Sequence, residues 1–213
     1  INLEKSILMK IDKERRASIQ RNHTSTHLLQ FALKKTLGNH IEQRGSMLTE
    51  DIFRFDFSHQ SKVSDKELKN VEELVKSLIK DEIQCIEDRQ ANYNDAINDG
   101  AIGLFSEKYG DVVRTIKFGE SYELCGGTHV KNTREIEDFK IISESSQAFG
   151  IRRISASSNI TRIKEEQLKV QAIKEKAESE KANKLLQKEI DSQNKLKIQS
   201  TKELIIKEIK EVN

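Results

Sequence analysis

The segment ELCGGTH, residues 123–129, decides how the rest of this sequence is interpreted. It places the thiol of Cys125 and the imidazole of His129 four residues apart, separated by two glycines that allow the backbone to turn tightly. The chain contains only two cysteines and five histidines. In a reducing compartment, a cysteine close to a histidine serves a metal or catalysis more often than a disulfide. The segment therefore predicts half of a metal site.

A second pair of imidazoles lies in the segment HTSTH, where His23 and His27 are four residues apart. On a helix these two side chains share one face, one turn apart. Two imidazole nitrogens can bind one ion at about 2.0 to 2.1 Å, and tetrahedral zinc then needs two more ligands. Cys125 and His129 would complete the set. Each pair is a weak signal by itself, but together they predict a zinc site.

Two familiar zinc signatures are absent from the sequence. The residue after His23 is Thr24 rather than glutamate, so the zincin pattern with its general base does not apply. The chain also lacks the His-x-Glu and Pro-Cys-x-x-Cys segments of the zinc nucleobase deaminases. The ligand set therefore points to a different zinc chemistry.

The composition predicts a chain with a packed part and a solvated part. Hydrophobic residues make up 35% and charged residues 34% of the 213 residues, which is more charged than a typical globular domain. The net charge of +2 is too balanced to identify a nucleic-acid-binding protein from charge alone. Without a signal peptide or an apolar run of membrane-spanning length, we expect a cytoplasmic location and no membrane partner. Because the chain begins with isoleucine, we expect it to be a fragment of a longer protein.

The chain divides into two predicted parts, a packed domain over 1–158 and a helical segment over 159–213. The last glycine is Gly150 and the chain has no proline, so the second part lacks the strongest helix breakers. Its apolar residues have helical spacing, but the heptad drifts and charged residues dominate. This pattern favours a solvated helical linker or an antiparallel helix pair over a dedicated coiled-coil dimer.

The first part carries signals for both helices and strands. A helix is predicted from Arg21 to Leu37, where Gly38 suits a left-handed cap. Phenylalanines alternate with polar residues over 53–57, which indicates a half-buried strand. A capping box at Ser64 opens a second helix. We expect further short strands at about 83–88, 112–118, 138–143 and 150–156, and a short helix over 92–98. The predicted fold is α+β, with helices packed on a mostly antiparallel sheet and an interior zinc site.

Five segments of this first part resemble, in order and spacing, the editing domain of alanyl-tRNA synthetases. They are RNHTSTHLLQFALKKTLGNHIEQRGSM (21–47), FRFDFSH (53–59), GAIGLFSEKYGD (100–111), ELCGGTHV (123–130) and FKIISESSQAFGIRRISA (139–156). The resemblance covers about residues 12 to 157. It departs from the usual family pattern at Ser146, where a glycine is common, and in the absence of proline.

The resemblance implies an activity and a partner. Such domains hydrolyse the ester that joins a wrong amino acid, serine or glycine, to the 3′ end of alanine tRNA. The parent enzyme is an ATP-dependent alanine–tRNA ligase whose aminoacylation domain would lie before this region. The final helical segment would lead to a C-terminal domain, through which the parent could dimerise.

The resemblance also assigns roles to individual residues. Zinc would be held by the four residues already singled out. Thr26 and Gln43 would shape the catalytic pocket, and Thr26, next to a zinc ligand, could recognise a serine hydroxyl by hydrogen bonding. Arg152 and Arg153 match a functionally important basic pair that could bind tRNA, although alternation along a strand lets only one of them face the site.

Three questions stay open at the level of the sequence. Zinc could activate a water, orient the substrate or serve the fold alone. The chain could instead be a free-standing or threonyl-type editing deacylase. It could also be a non-catalytic zinc-stabilised module that binds tRNA.

Overall fold

The computed structural model describes the backbone of residues 8–104 and 109–212, and most of their side chains. The side chains of 196–198, 200 and 203–212 are not among those described. Three apolar residues of the predicted helical segment, Leu204, Ile205 and Ile209, therefore lie outside the described side chains. Contacts divide the chain into two units, one that ends at Lys164 and one that begins at Glu165. The predicted functional boundary after residue 158 stays a prediction.

The fold is α+β, as predicted, and its strands form two antiparallel sheets. One sheet has four strands in the order β1-β2-β7-β6, and the other has three strands in the order β3-β4-β5. In chain order the elements are α1 (Lys13–Leu37), β1 (Gln43–Leu48), β2 (Phe53–Ser58), α2 (Asp65–Lys80), β3 (Ile86–Asn92), α3 (Tyr93–Asn98), β4 (Val112–Phe118), β5 (Ser121–Leu124), a 3-10 turn (Thr133–Ile136), β6 (Lys140–Ala148), β7 (Ile151–Ser157) and α4 (Ile160–Val212).

Helix α1 is longer at its N-terminus than the sequence pattern predicted. It begins at Lys13 because the side chain of Asp12 accepts a hydrogen bond from the backbone N–H of Arg15. The first turn, residues 13–16, is charged and exposed, so an argument based on apolar spacing did not detect it. The helix ends where predicted, at Leu37, and Gly38 has a φ of +115° that favours glycine.

The middle of α1 is buried on nearly every side. Residues 24–30, which include His27, are all buried, and His23 is half-buried. The helix contacts α2, β1, β2 and β5, so elements of both sheets surround it. A helix in this position delivers polar side chains into the interior of the first unit.

Strand β2 supplies the centre of the hydrophobic core. Phe53, Phe55 and Phe57 are fully buried, and the residues between them are not, which confirms the predicted alternation. Their ring-bearing face packs with residues of α1 and α2 in one core cluster. Helix α2 is fixed at its start by the predicted capping box, in which Ser64 and Glu67 exchange hydrogen bonds.

Two strands escaped the sequence analysis, and one lies later in the chain than predicted. Strand β1 contains arginine, glycine and serine in place of alternating apolar residues, and β5 is only four residues long. The strand expected over 83–88 spans Ile86–Asn92, and its exposed polar residues carry no apolar signal. Pairing with β2 and β4 therefore determines these strands more than their own composition does.

The second part of the chain forms the single helix α4, in place of the alternative of two antiparallel helices. No glycine or proline interrupts residues 151–213, so nothing in the sequence forces a turn. Its described apolar side chains beyond Lys164 are exposed, namely Leu168, Val170, Ile173, Leu185, Leu186 and Ile190. Among the described residues, no helix has an apolar stretch long enough to cross a bilayer.

Replacing Phe55 with alanine should lower the free energy of unfolding by about 3 to 5 kcal/mol, because a fully buried ring leaves a cavity. Urea unfolding followed by circular dichroism measures this change. Phe149→Ala is the matched control, since that ring is 98% exposed and its loss should change stability by less than about 0.5 kcal/mol. Equal effects of the two substitutions would contradict the assignment of the core.

Candidate metal centre and adjoining pocket

The structure brings all four predicted ligands together. His23 and His27 project from α1, and Cys125 and His129 lie in the loop that follows β5. One ligand atom from each of the four lies within 4.8 Å of the others, so the group could hold a metal ion. The Cys125 Sγ atom is 3.6 Å from His23 Nε2 and 3.4 Å from His129 Nε2. This set of sulfur and imidazole donors is typical of zinc.

Outer hydrogen bonds orient two of the imidazoles toward the cluster. His23 Nδ1 lies 3.2 Å from the carbonyl oxygen of Thr128, and His129 Nδ1 lies 3.1 Å from the hydroxyl oxygen of Thr24. The same Thr24 hydroxyl accepts a hydrogen bond from the N–H of Val130. With Nδ1 engaged in this way, each ring presents Nε2 to the cluster. Such outer partners are a regular feature of histidine metal ligands.

Burial keeps the imidazoles of the cluster neutral at physiological pH. It is the main cause that lowers the pKa of His23 and of His27, and it lowers the pKa of His129 to about 3. Burial also raises the pKa of the Cys125 thiol. The histidines are therefore ready to bind a metal, whereas the thiol must lose a proton to do so.

Gly127 permits the loop to pass directly against α1. A Cβ atom at this position would lie 2.1 Å from Cε1 of His23, which is far inside contact distance. Gly126, by contrast, faces open space. Neither glycine has a positive φ. The backbone bends at Gly127. The structure adds a second reason for glycine there, because the missing side chain makes room for the imidazole of His23.

A cavity of about 290 Å³ is lined by three of the four predicted ligands, His23, His27 and Cys125. Both residues predicted to shape a pocket line it, Thr26 from α1 and Gln43 from β1. The Thr26 hydroxyl donates to the carbonyl oxygen of Asn22, and Gln43 Nε2 donates to Ser46 Oγ at 3.2 Å. Ser46 also lines the cavity, and it escaped the sequence analysis because β1 was not recognised as a strand.

Glu123 is a further pocket residue that sequence reasoning missed. Its carboxyl is buried and lies 3.5 Å from His27 Nε2. Burial raises the pKa of Glu123 to about 8 and holds the pKa of His27 well below its usual value. At neutral pH the two groups therefore meet mainly as neutral partners and not as an ion pair. The available signal was weak: a single charged residue between Tyr122 and Leu124 in the four-residue strand β5.

The two predicted tRNA-binding arginines do not line the cavity. Successive residues of β7 point to opposite faces of the sheet. Arg152 donates from Nε to Glu144, and its side chain is only 13% exposed. Arg153 forms two hydrogen bonds to Asp56, at 2.6 and 2.8 Å, and is 28% exposed. Both are engaged in ion pairs, and their contact with tRNA stays a proposal.

Comparisons with known proteins place the chain beside tRNA synthetases. A family described as "Threonyl and Alanyl tRNA synthetase second additional domain" matches residues 113–155. The alanine–tRNA ligase of Flavobacterium psychrophilum is 43% identical over 226 residues, which cover all of this chain and 26% of the relative. That of a Thermoanaerobacter species is 42% identical over 213 residues, again all of this chain and 23% of the relative.

A third relative has a higher sequence identity over a shorter range. The alanine–tRNA ligase of Wolbachia pipientis is 51% identical over 151 residues, covering 71% of this chain and 17% of that protein. The chain spans about a quarter or less of the length of these curated relatives. It therefore matches one region of a tRNA-related enzyme.

Gly127→Ala should weaken metal binding about 10- to 100-fold, because the new methyl group would displace the His23 ring or the loop that carries two ligands. Titration of the metal-free protein with Co²⁺, followed by visible absorption, measures the affinity. Gly126→Ala is the matched control and should bind the metal like the wild type. Similar losses in both variants would contradict the close-passage explanation.

Metal binding should also release about one proton per ion from the ligands between pH 6 and 8, because the Cys125 thiol is the one proposed ligand whose proton burial retains, whereas burial lowers the pKa of the three histidines. A lower pH then weakens binding, by about tenfold per pH unit. Calorimetry in buffers of different ionisation enthalpy counts the protons. Cys125→Ser should release about one proton fewer than the wild type, and an equal count in the two proteins would contradict the assignment of the thiol as a ligand.

Proposed function

We propose that this chain, which corresponds to the editing-domain region of alanine–tRNA ligases, hydrolyses the ester of alanine tRNA mischarged with serine or glycine. The observation that carries the proposal is the 290 Å³ cavity lined by three of the four clustered residues, His23, His27 and Cys125. An open cavity beside a metal site gives a substrate access to it. Binding of tRNA and a cytoplasmic location belong to the same proposal.

The need for a second site follows from the energetics of small side chains. A site built for alanine cannot strongly reject glycine, because one methyl group changes binding by only about 1 to 3 kcal/mol. An added hydroxyl, as in serine, is likewise poorly rejected by an apolar pocket. A hydrolytic pocket that recognises the wrong amino acid corrects such errors.

The four clustered side chains would hold zinc in this pocket. His23, His27 and His129 offer neutral nitrogens, and Cys125 offers a thiolate after it loses its proton. Zinc, when bound, supplies a Lewis acid that can polarise a carbonyl or lower the pKa of a water. The chain's part is to keep these donors convergent and to present the ester beside them.

Thr26 is suited to recognise serine as a hydrogen-bond acceptor. Its hydroxyl proton is already donated to the carbonyl oxygen of Asn22 at 2.9 Å, one helical turn back. The oxygen of Thr26 therefore offers only lone pairs to the cavity that it lines. The hydroxyl of a seryl group would donate to it.

Ser46 has the complementary polarity. Its oxygen accepts from Gln43, and among the described residues no acceptor takes its own proton. Ser46 can therefore donate to an oxygen of the substrate, and Gln43 keeps its hydroxyl in position. Leu104, Leu124 and Tyr109 form an apolar side of the same cavity. The pocket thus offers one acceptor, one donor and an apolar wall.

Of the two predicted arginines, Arg153 is the better candidate for binding a tRNA phosphate. Its side chain is about twice as exposed as that of Arg152, and its partner Asp56 is also partly exposed. A guanidinium that already forms two parallel hydrogen bonds to a carboxylate can form the same pattern with a phosphate. Arg152, paired with the buried Glu144, would serve the sheet.

A second candidate function is a non-catalytic, zinc-stabilised module that binds tRNA. The observation in its favour is the complete set of four protein ligands, since a closed tetrahedral set is typical of structural zinc. In that case removal of the metal would unfold the chain without loss of any hydrolysis.

One experiment separates these functions. The purified zinc-loaded chain is incubated with alanine tRNA carrying serine, glycine or alanine, and the metal content of the same sample is measured. We expect faster release of serine and glycine than of alanine, and no release from the Cys125→Ala, His129→Ala double variant. A folded, metal-loaded wild type that releases nothing would support the non-catalytic module. Preferential discharge of Ser-tRNA(Thr) would support a threonyl-type deacylase.

Thr26→Val should reduce the release of serine about 3- to 10-fold, the effect of one lost hydrogen bond of roughly 0.5 to 1.5 kcal/mol. Release of glycine, which has no hydroxyl, provides the internal control and should change much less. Initial rates with the two substrates measure the difference. An equal loss with both would show that Thr26 supports the pocket without recognising the hydroxyl.

A further inference from the structure

We propose that Arg114 is a positioning residue for the metal centre, which holds the loop after β5 in the conformation that delivers Cys125 and His129 to the histidines of α1. The inference rests on the proposed metal site. The site would then depend on Arg114 as well, although strand β4, which contains it, supplies no metal ligand.

Arg114 binds the loop through both its backbone and its side chain. Its carbonyl oxygen accepts from the N–H of Cys125 at 3.0 Å, which extends the ladder between β4 and β5 by one residue. Its Nη1 atom donates to the carbonyl oxygens of Cys125 (2.8 Å) and Gly127 (2.5 Å). One residue therefore fixes the peptide groups on both sides of the ligand sulfur.

Glu87 holds the guanidinium in place. Its Oε1 atom accepts from Arg114 Nε at 2.7 Å and also from Arg89 Nε at 2.5 Å. The Arg114 side chain is 22% exposed, whereas that of Arg89 is 75% exposed. With Nε bound to the carboxylate, the planar guanidinium directs Nη1 at the loop. Arg89 shares the acceptor, and none of its described hydrogen bonds reaches the loop.

The loop needs such an anchor because it carries two ligands within five residues. Gly126 faces open space, so nothing packs against its α-carbon on the side where a side chain would lie. The three hydrogen bonds between Arg114 and the loop limit movement of the chain on either side of this glycine. A shift of the loop would displace the Cys125 Sγ atom relative to His23 Nε2, and metal sites are sensitive to ligand displacements of this kind.

The test compares Arg114→Lys and Glu87→Ala with Arg89→Gln as the matched control. All are made in a Cys85→Ser background, so that Cys125 is the only thiol. Lysine keeps the charge of Arg114 but loses the bidentate fork and the Nε bond to Glu87. Three quantities are measured on each protein: the Co²⁺ dissociation constant, the rate of iodoacetamide alkylation without metal, and the thermal midpoint without metal.

We expect Arg114→Lys to raise the dissociation constant about 10- to 100-fold, the range found for outer partners of metal ligands. Glu87→Ala should raise it less, and Arg89→Gln should leave it unchanged. Alkylation of Cys125 should accelerate in the same order, while the thermal midpoint of the metal-free proteins stays close to that of the parent. An arginine that only stabilised the fold would lower the thermal midpoint as well. Faster alkylation with an unchanged midpoint therefore indicates a local effect on the loop.

Several results would overturn the inference. An unchanged metal affinity and alkylation rate in Arg114→Lys would do so. So would losses of metal affinity in Arg114→Lys and Glu87→Ala that are fully explained by a lower thermal midpoint of these variants. A parent protein that binds no Co²⁺ or Zn²⁺ would refute the proposed metal site. The alkylation rates would then still decide whether Arg114 holds the loop, so the two failures are distinguishable.

Discussion

The passage of Gly127 across the ring of His23 is the contact on which the functional site depends. It joins a loop at the end of one sheet to the middle of the first helix, and a side chain at residue 127 would require the ring or the loop to shift. Through this contact Cys125 and His129 reach the two histidines of α1. Three hydrogen bonds between Arg114 and this loop help to keep the loop in place. The metal centre is thus a meeting point of elements far apart in the chain.

Helix α1 has to bury polar groups to make this meeting possible. Its middle turns run through the interior, where unpartnered polar atoms are costly. Much of that cost is offset by specific bonds: the side chain of Asn22 binds the carbonyl of Thr49 and the N–H of Ser158, and Thr24 binds His129. Within the described residues, the side chains of Ser25 and Gln30 remain without partners. These unpaired polar groups lie in the same turns of α1 as His27, or in the turn that follows.

Burial also sets the chemistry of the pocket. The same desolvation that keeps the imidazoles neutral raises the pKa of Glu123 to about 8, so the groups around the cavity carry little charge. Recognition in such a pocket depends on the direction of hydrogen bonds. Thr26 offers an acceptor because Asn22 already takes its proton, and Ser46 offers a donor because Gln43 already occupies its oxygen. The polarity of the site therefore originates in hydrogen bonds that Thr26 and Ser46 already form within the protein.

The amino-acid sequence by itself determined the ligand set, the α+β class and the strand of alternating phenylalanines. The sequence reveals these features because rare residue types and short apolar repeats can be recognised within a few consecutive residues. Only the tertiary structure decided why Gly127 is a glycine, that Arg114 grips the loop, and that Glu123 and Ser46 line the cavity. Each of these depends on contacts across long stretches of sequence, or on strand pairing that composition does not encode. Spacing along the chain identifies the residues that could hold a metal ion, whereas packing determines what keeps those residues together.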